Sequence, residues 1–431
     1  MQVSEVNPYR PFAAPSADAP FAGRADALLR LRQHARESAS GGALVILGRA
    51  RTGKTALLLR CAAADDDSLV AVYTPLAAPP AEAAFLAALA QAAAAVLARR
   101  DFTLRHLPPL PPETSPLLRE WFASEWLPEA CLAVRPHRRL LWLVDDAHHL
   151  AAAASSELAP GLPAYLFDLL RRFPQARLAL AVDDSAEPAL PHLAPLAQRE
   201  GAVRLANLDA DAVRDLLRAP VEGLYTVTDD AAAAVYRETG GQPDLVQLAG
   251  LHLFERWHTQ PDRTALTPED VRALLPTLVA GADAFFREQW RAASYNEKLV
   301  LTALSGLIYD DPLRPLDAAA VESWLVETDY PLDTTAIHAA LRALEYREVV
   351  AAVPGLTLRA GLLQAWLLDN ARLDRGGAAA SASAPGQRQR LAIALVIGLL
   401  VVGLLAALAL SAAPRPSASG TSAPTVTLSG P

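Results

Sequence analysis

The chain has 431 residues, 52% of them apolar, enough to give each of two or three domains a core and too many for a disordered or fibrous protein. Its formal charge of −8 excludes a surface that attracts nucleic acid as a whole, so any DNA contact has to be argued from a local patch. The two cysteines, Cys61 and Cys131, encode neither a disulfide framework nor a zinc site, which suits a reducing compartment.

The opening MQVSEVNPYR has neither a basic cluster nor an apolar run, so no secretory signal is expected. Residues 1–20, rich in Pro and Ala, are expected to form a flexible surface segment. Helical spacing from Ala25 to Ala35 puts the start of the first domain near Phe21. Ala43 to Leu47 reads as a strand and Ala56 to Ala62 as a helix, with a glycine-containing loop between them. Further strands are predicted at Leu69–Tyr73, Leu140–Val144, Leu178–Val182 and Val203–Leu205, separated by helical stretches such as Pro163–Phe173. Strands alternating with helices imply an α/β core over 21–206, a parallel sheet covered on both faces. The Pro-rich stretch Asp101–Ser115 reads as a surface loop before the third strand.

From Asp209 to His258 the pattern is helical, broken at Gly240-Gly241-Gln242-Pro243, which predicts a small helical subdomain over 207–262. Residues 263–372 alternate helical periodicity with short β-like pieces, Glu348–Val353 and Leu356–Leu358, around Pro354-Gly355, a winged-helix-like pattern. A polar linker, 373–390, leads to Leu391–Leu410, twenty residues without a charge that as a helix would reach about 30 Å and cross a bilayer core. Arg375, Arg388 and Arg390 precede this transmembrane helix and Arg415 follows it, so the larger part is expected in the cytoplasm and the flexible tail, 411–431, outside. Only Lys54 and Lys298 are lysine, and the Arg and Ala richness suggests a GC-rich bacterial genome, hence a bacterial cytoplasmic membrane.

Between the first strand and helix lies GRARTGKT, Gly48 to Thr55, which fits G-x-x-x-x-G-K-[ST] in the strand–loop–helix setting that this P-loop motif requires. Gly48 and Gly53 let the backbone curl so that successive N–H groups along Gly48, Arg49, Ala50, Arg51, Thr52, Gly53, Lys54, Thr55 and Ala56 converge on a phosphate. Lys54 is expected to reach the β- and γ-phosphates of ATP, and the Thr55 hydroxyl to take a position on Mg2+. RLLWLVDDAHHL supplies a buried strand ending in Asp145 and Asp146. Asp145 is the expected magnesium carboxylate, and Asp146 the residue that orients or deprotonates the attacking water. His148 and His149 read as surface or capping residues.

These residues resemble the STAND signal-transduction ATPases and the related origin-recognition-type AAA+ ATPases, over roughly Phe21 to Trp257. The resemblance is carried by FAGRADALLRL at Phe21–Leu31, by GRARTGKT, by LLWLVDDAHHL and by ETGGQPDLVQLA. It implies that Phe21-Ala22-Gly23-Arg24 lines the adenine side of the pocket, that residues 207–262 are a lid, and that Pro243 touches base or ribose. It also implies that ATP closes the lid to signal or assemble, and that hydrolysis resets it. The sequence departs from that pattern at Asp183-Asp184, where AAA+ members usually carry an Asn, Thr or Ser that senses the γ-phosphate; an acidic pair would repel phosphate unless it points away. Arg199 is the position to try for an arginine finger, and Arg218 for a lid arginine.

Trp290 to Arg372 holds seven basic and eleven acidic residues, a net of −4, so a protein-interaction role is expected there rather than DNA contact. The leading expectation is a membrane-anchored ATP-binding switch with a protein partner or self-assembly. The alternatives are a nucleotide-bound scaffold that scarcely hydrolyses and an origin-type DNA-binding initiator.

Overall fold

A computed structural model describes residues 6–36, 42–64, 66–100, 102, 109, 111, 117–134, 138–310, 316–330, 332–352 and 355–371. The linker, the expected span Leu391–Leu410 and the tail lie outside the described residues, as do Pro354 and most of the Pro-rich connection.

Apolar β-branched and leucine-rich runs build the central layer. In chain order come α1 (Ala25–Arg36), β1 (Ala43–Gly48), α2 (Lys54–Ala63), β2 (Leu69–Pro75) and α3 (Glu82–Arg99), then α4 (Leu118–Trp121), α5 (Leu127–Val134) and β3 (Arg139–Asp145). They are followed by α6 (His148–Ala154), α7 (Leu162–Arg172), β4 (Ala176–Asp183) and β5 (Ala197–Leu205). The five strands pair in the order β2-β3-β4-β1-β5, all parallel. Both faces are covered, which is why β1–β4 are apolar along most of their length instead of alternating, whereas the edge strand β5 carries Gln198, Arg199, Glu200 and Arg204. Leu44 and Ile46 pack with Leu31 of α1 and Leu57 and Leu58 of α2. On the opposite face Val45 and Leu47 join Phe85 and Leu89 of α3, Trp126, Trp142 and Leu166. Although α3 is long and apolar enough to cross a membrane, its Phe85, Leu86, Ala93 and Leu97 are buried in that core.

Sequence periodicity located all five strands but ran short at their ends. β5 starts at Ala197 rather than Val203, and the helices Leu118–Trp121 and Leu127–Val134 after the Pro-rich stretch were not foreseen. Trp121, Phe122 and Trp126 insert into the core, Phe122 stacking on Trp126 at 5.3 Å, while Arg119, Glu120, Ser124 and Glu125 stay exposed.

After the sheet come α8 (Ala210–Arg218), β6 (Thr226–Val227), α9 (Asp229–Thr239), α10 (Pro243–His258), β7 (Ala265–Leu266) and α11 (Pro268–Gly281). This region is not purely helical, since β6 pairs in parallel with β7. Ncap residues Asp209, Thr228 and Gln242 each accept a backbone N–H of the first turn of α8, α9 and α10. Then follow α12 (Asp283–Ala292), α13 (Tyr295–Asp310), α14 (Ala318–Glu327), α15 (Thr334–Tyr346), the antiparallel pair β8 (Val350–Ala351) and β9 (Thr357–Leu358), and α16 (Gly361–Asn370).

The stretch expected to be flexible on the surface is partly built in. Tyr9 is 2% exposed, donates its hydroxyl to Leu217 O at 2.6 Å, and lies where a Cβ on Gly250 would stand 2.6 Å from its ring. A single aromatic in a Pro/Ala-rich segment leaves no periodic signal, yet it fills a gap opened by one glycine of α10.

α11 is started by a reciprocal capping box between Thr267 and Asp270. Asp270 is 2% exposed and accepts from Arg256 Nε at 2.7 Å and from Arg263. Burial pushes its carboxyl up, but the Thr267 backbone and the two guanidiniums outweigh that and hold it at about 2. Asp270→Asn is expected to cost about 2 kcal/mol at pH 7, below the full value of a buried pair because both arginines are partly in water. A depressed carboxyl stabilises above its unfolded value and loses that contribution as pH falls, here from about 4 to about 2. Urea midpoints of the variant and the parent should therefore converge between pH 7 and pH 3; an undiminished gap at pH 3 would refute the assignment.

Candidate functional site

β1 delivers the chain to a loop that turns back into α2, and each special residue of the loop has a structural reason. Gly48 has no room for a side chain, since a Cβ there would meet Thr52 Oγ1 at 2.7 Å and Leu205 O at 3.1 Å. Gly53 sits at φ 93°, with nothing within 4 Å of where its Cβ would stand. Arg51 adopts φ 65°, a conformation that costs a non-glycine residue free energy and tightens the curl. Thr52, 1% exposed, donates its hydroxyl to Arg49 O at 2.8 Å. Ala50 is exposed, and Thr55 and Ala56 are half-buried in the first turn of α2.

Lys54, at the N-terminus of α2, is 7% exposed. Its ammonium donates to Gly48 O at 2.6 Å and Arg49 O at 2.8 Å, and lies 3.4 Å from Asp183 Oδ2. β3 ends in Asp145, 2% exposed, which accepts the Tyr73 hydroxyl at 2.9 Å and, at its other oxygen, the Asp146 N–H at 3.1 Å. Burial first, and the neighbouring Asp145 carboxylate second, push the Tyr73 hydroxyl well up, so it stays a donor and orients the acid. Asp146 turns the chain at φ 50° and leaves its side chain 53% exposed, with His148 Nδ1 3.9 Å away. His149 is pushed down by burial and by His148, whose ring lies 4.2 Å off.

The acidic pair does not point away. Register places Asp183 opposite Gly48, so its carboxylate faces Lys54, while Asp184 pairs with Arg204 at 2.9 Å. Arg199 lies within β5 rather than before it, and its side chain is outside the described residues. Arg218 turns elsewhere, donating to Val227 O at 2.7 Å and to Asp229 at 3.0 Å.

Contacts from distant parts of the chain converge on the loop. Arg24 donates to Thr52 O at 3.0 Å and to Ala206 O at 2.6 Å, and burial pushes its guanidinium value down. Pro243 opens α10, and Gln242 before it donates to Arg51 O at 3.3 Å. Arg51 pairs with Asp244 at 3.2 Å. Arg49 donates to Asn207 Oδ1 at 2.9 Å and to Glu348 Oε2 at 3.0 Å. Burial lowers Arg49 most, and Glu348 opposes that. Asn207, Asp244 and Glu348 were missed by sequence reasoning. The signal available for Glu348 was faint, a lone acidic residue opening the β-like piece Glu348–Val353.

Of two cavities of small-molecule size among the described residues, only the first is lined by residues of the loop. One of about 540 Å³ lies between Arg49–Arg51, Asp183 and the aromatic wall Phe286, Trp290 and Trp366. The other, about 640 Å³, is bordered by Phe21, by Arg60 of α2 and by Leu216 of α8. These features fit a nucleotide: a glycine-curled loop, a helix N-terminus, an ammonium, and a cavity of small-molecule size lined by Arg49–Arg51 and Asp183. Among the described residues no three His, Cys, Asp or Glu side chains gather to hold a metal. A magnesium ion here would draw on the Thr55 hydroxyl and Asp145, with phosphate oxygens and water completing its octahedron, which suits that ion.

No protein-family model and no curated protein sequence matches the chain. Among solved structures, a Walker-type ATPase of Pyrococcus abyssi superposes with a TM-score of 0.55 at 13% identity, covering 82% of this chain and 98% of that one. The ORC2 protein of Aeropyrum pernix, solved as ADPNP-ADP complexes, does so with 0.53 at 15% identity, covering 84% and 95%. At such identities the likeness shows the fold alone, a parallel α/β core followed by helices, shared with those two proteins.

Proposed function

We propose that this chain binds ATP with magnesium at Gly48–Thr55 and acts as a nucleotide-dependent signalling or assembly switch, held at a membrane by Leu391–Leu410. The observation that carries the reading is the sharing of loop groups. Arg49, Arg51 and the Arg51 and Thr52 carbonyls are bonded to Glu348, to Asp244 and Gln242 at the start of α10, and to Arg24, which come from three other parts of the chain. Phosphates entering the loop would draw on its amides and cations, so filling it must reset contacts to the lid and to residues beyond 263. A ligand with that differential effect shifts a conformational equilibrium.

In this reading Lys54 neutralises phosphate charge, the Gly48–Ala56 backbone cradles it, and Pro243 borders the nucleoside. Thr55 and Asp145 would hold magnesium, which supplies charge neutralisation at the phosphates. Asp146, exposed beside them, orients the attacking water. The helices α13–α15 with the β8–β9 pair are read as a winged-helix-like module, and the net charge of −4 from Trp290 to Arg372 favours a protein partner or a second copy over DNA. The twenty uncharged residues and the arginine bias support an anchored protein with a cytoplasmic ATPase, in the STAND manner and in a bacterial inner membrane.

Asp146→Asn in the full-length chain should leave ATP affinity within about threefold and lower turnover by roughly a hundredfold or more. Turnover equal to the parent's would remove Asp146 from the mechanism. A second reading, a nucleotide-held scaffold with little hydrolysis, is favoured by Asp183 standing at Lys54; a parent chain that binds ATP without turning it over would decide for it.

A further inference from the structure

We infer that Asp183 sets the nucleotide preference of the loop, biasing it toward a nucleoside diphosphate and against the triphosphate. This rests on the proposed nucleotide site and adds a specificity-determining residue to it.

The strand order puts β4 between β1 and β3, so the end of β4 stands in the row that also presents the loop and Asp145. Asp183 is opposite Gly48 in that register. Its Oδ2 lies 3.4 Å from Lys54 Nζ, and its side chain is 21% exposed, which limits screening by water. The ammonium has three protons to donate, and three acceptors already surround it: Gly48 O at 2.6 Å, Arg49 O at 2.8 Å and Asp183. A phosphate that takes Lys54 must displace one of them.

The two terminal phosphates do not meet the same surroundings. The β-phosphate, which Lys54 also reaches, is held largely by the loop amides and the α2 N-terminus, which are neutral donors. A γ-phosphate relies on the Lys54 ammonium that Asp183 also faces, and it adds negative charge next to that carboxylate. The neighbouring acid does not add to the effect equally, because Asp184 is paired with Arg204 at 2.9 Å. The penalty therefore falls on the third phosphate. In the switch, Asp183 would hold the resting protein in the diphosphate state until something moves the β4 end or supplies a further cation.

The test measures dissociation constants of magnesium-ADP and of a non-hydrolysable magnesium-ATP analogue by titration calorimetry on the full-length parent, Asp183→Asn and Asp183→Ser. The parent should bind ADP more tightly. Both variants should shift the ADP-to-analogue ratio toward the analogue by about tenfold or more. Asp184→Asn, which breaks a pair with Arg204 instead, should leave the ratio within about twofold. A ratio unchanged in the Asp183 variants overturns the inference while leaving the nucleotide site standing, and so does a parent that prefers the triphosphate analogue, even if neither variant folds. A parent that binds neither nucleotide overturns both.

Discussion

Lys54→Ala is expected to weaken ATP binding by on the order of a hundredfold, about 3 kcal/mol, and to abolish any turnover with it. The magnitude follows from the position. Lys54 is 7% exposed and sits at the start of α2, where a charge-assisted contact to phosphate is poorly screened. The loss is moderated because the parent must first give up bonds from Lys54 to Gly48 O, Arg49 O and Asp183. The same bonds make the variant less stable without ligand, since two carbonyls and a carboxylate lose their donor. Affinity should accordingly be measured below the variant's unfolding range, by titration calorimetry and by retention of labelled ATP. An Ala variant that binds ATP as tightly as the parent would remove Lys54, and with it this loop, as the site of ATP binding.

Gly241→Ala is expected to destabilise the chain by about 3 kcal/mol and to loosen the start of α10 from the loop. Gly241 has φ +70°, and a Cβ there would stand 1.9 Å from Leu208 O. The obstacle is backbone, which cannot rotate away as a side-chain end would. Moving it also breaks the bond from Leu208 N to Gly241 O at 2.8 Å, which ties the exit of β5 to the turn before α10. Gln242 follows directly, so its bond to Arg51 O and the Asp244–Arg51 pair should weaken together. The expected record is a lower urea midpoint together with poorer ADP affinity. A variant as stable as the parent would show that this turn is not under the constraint its backbone implies.

Much of the site could be read from local pattern because its chemistry is local. The spacing Gly48, Gly53, Lys54, Thr55 belongs to one turn between one strand and one helix, and Asp145-Asp146 ends a strand whose apolar run is unmistakable. The Gly241-Gln242-Pro243 break likewise announced a helix start, and α10 begins there at Pro243. The direction of Asp183 was not legible. Whether it faces Lys54 or solvent depends on which strand lies beside β1, and that is settled by pairing between segments more than a hundred residues apart, Gly48 with Asp183.

The amino-acid sequence by itself determined the five core strands, the parallel α/β core and the place of the glycine loop between β1 and α2, since periodicity and glycine placement act over a few residues. Only the tertiary structure decided the order β2-β3-β4-β1-β5, the burial of Tyr9 against Gly250, and the meeting of Arg49 with Glu348. Those outcomes depend on shape complementarity and on the pairing of buried charge between remote segments. Neither leaves a mark on the residues next to them in the chain, because a side chain selected for a distant partner need not fit its neighbours' pattern.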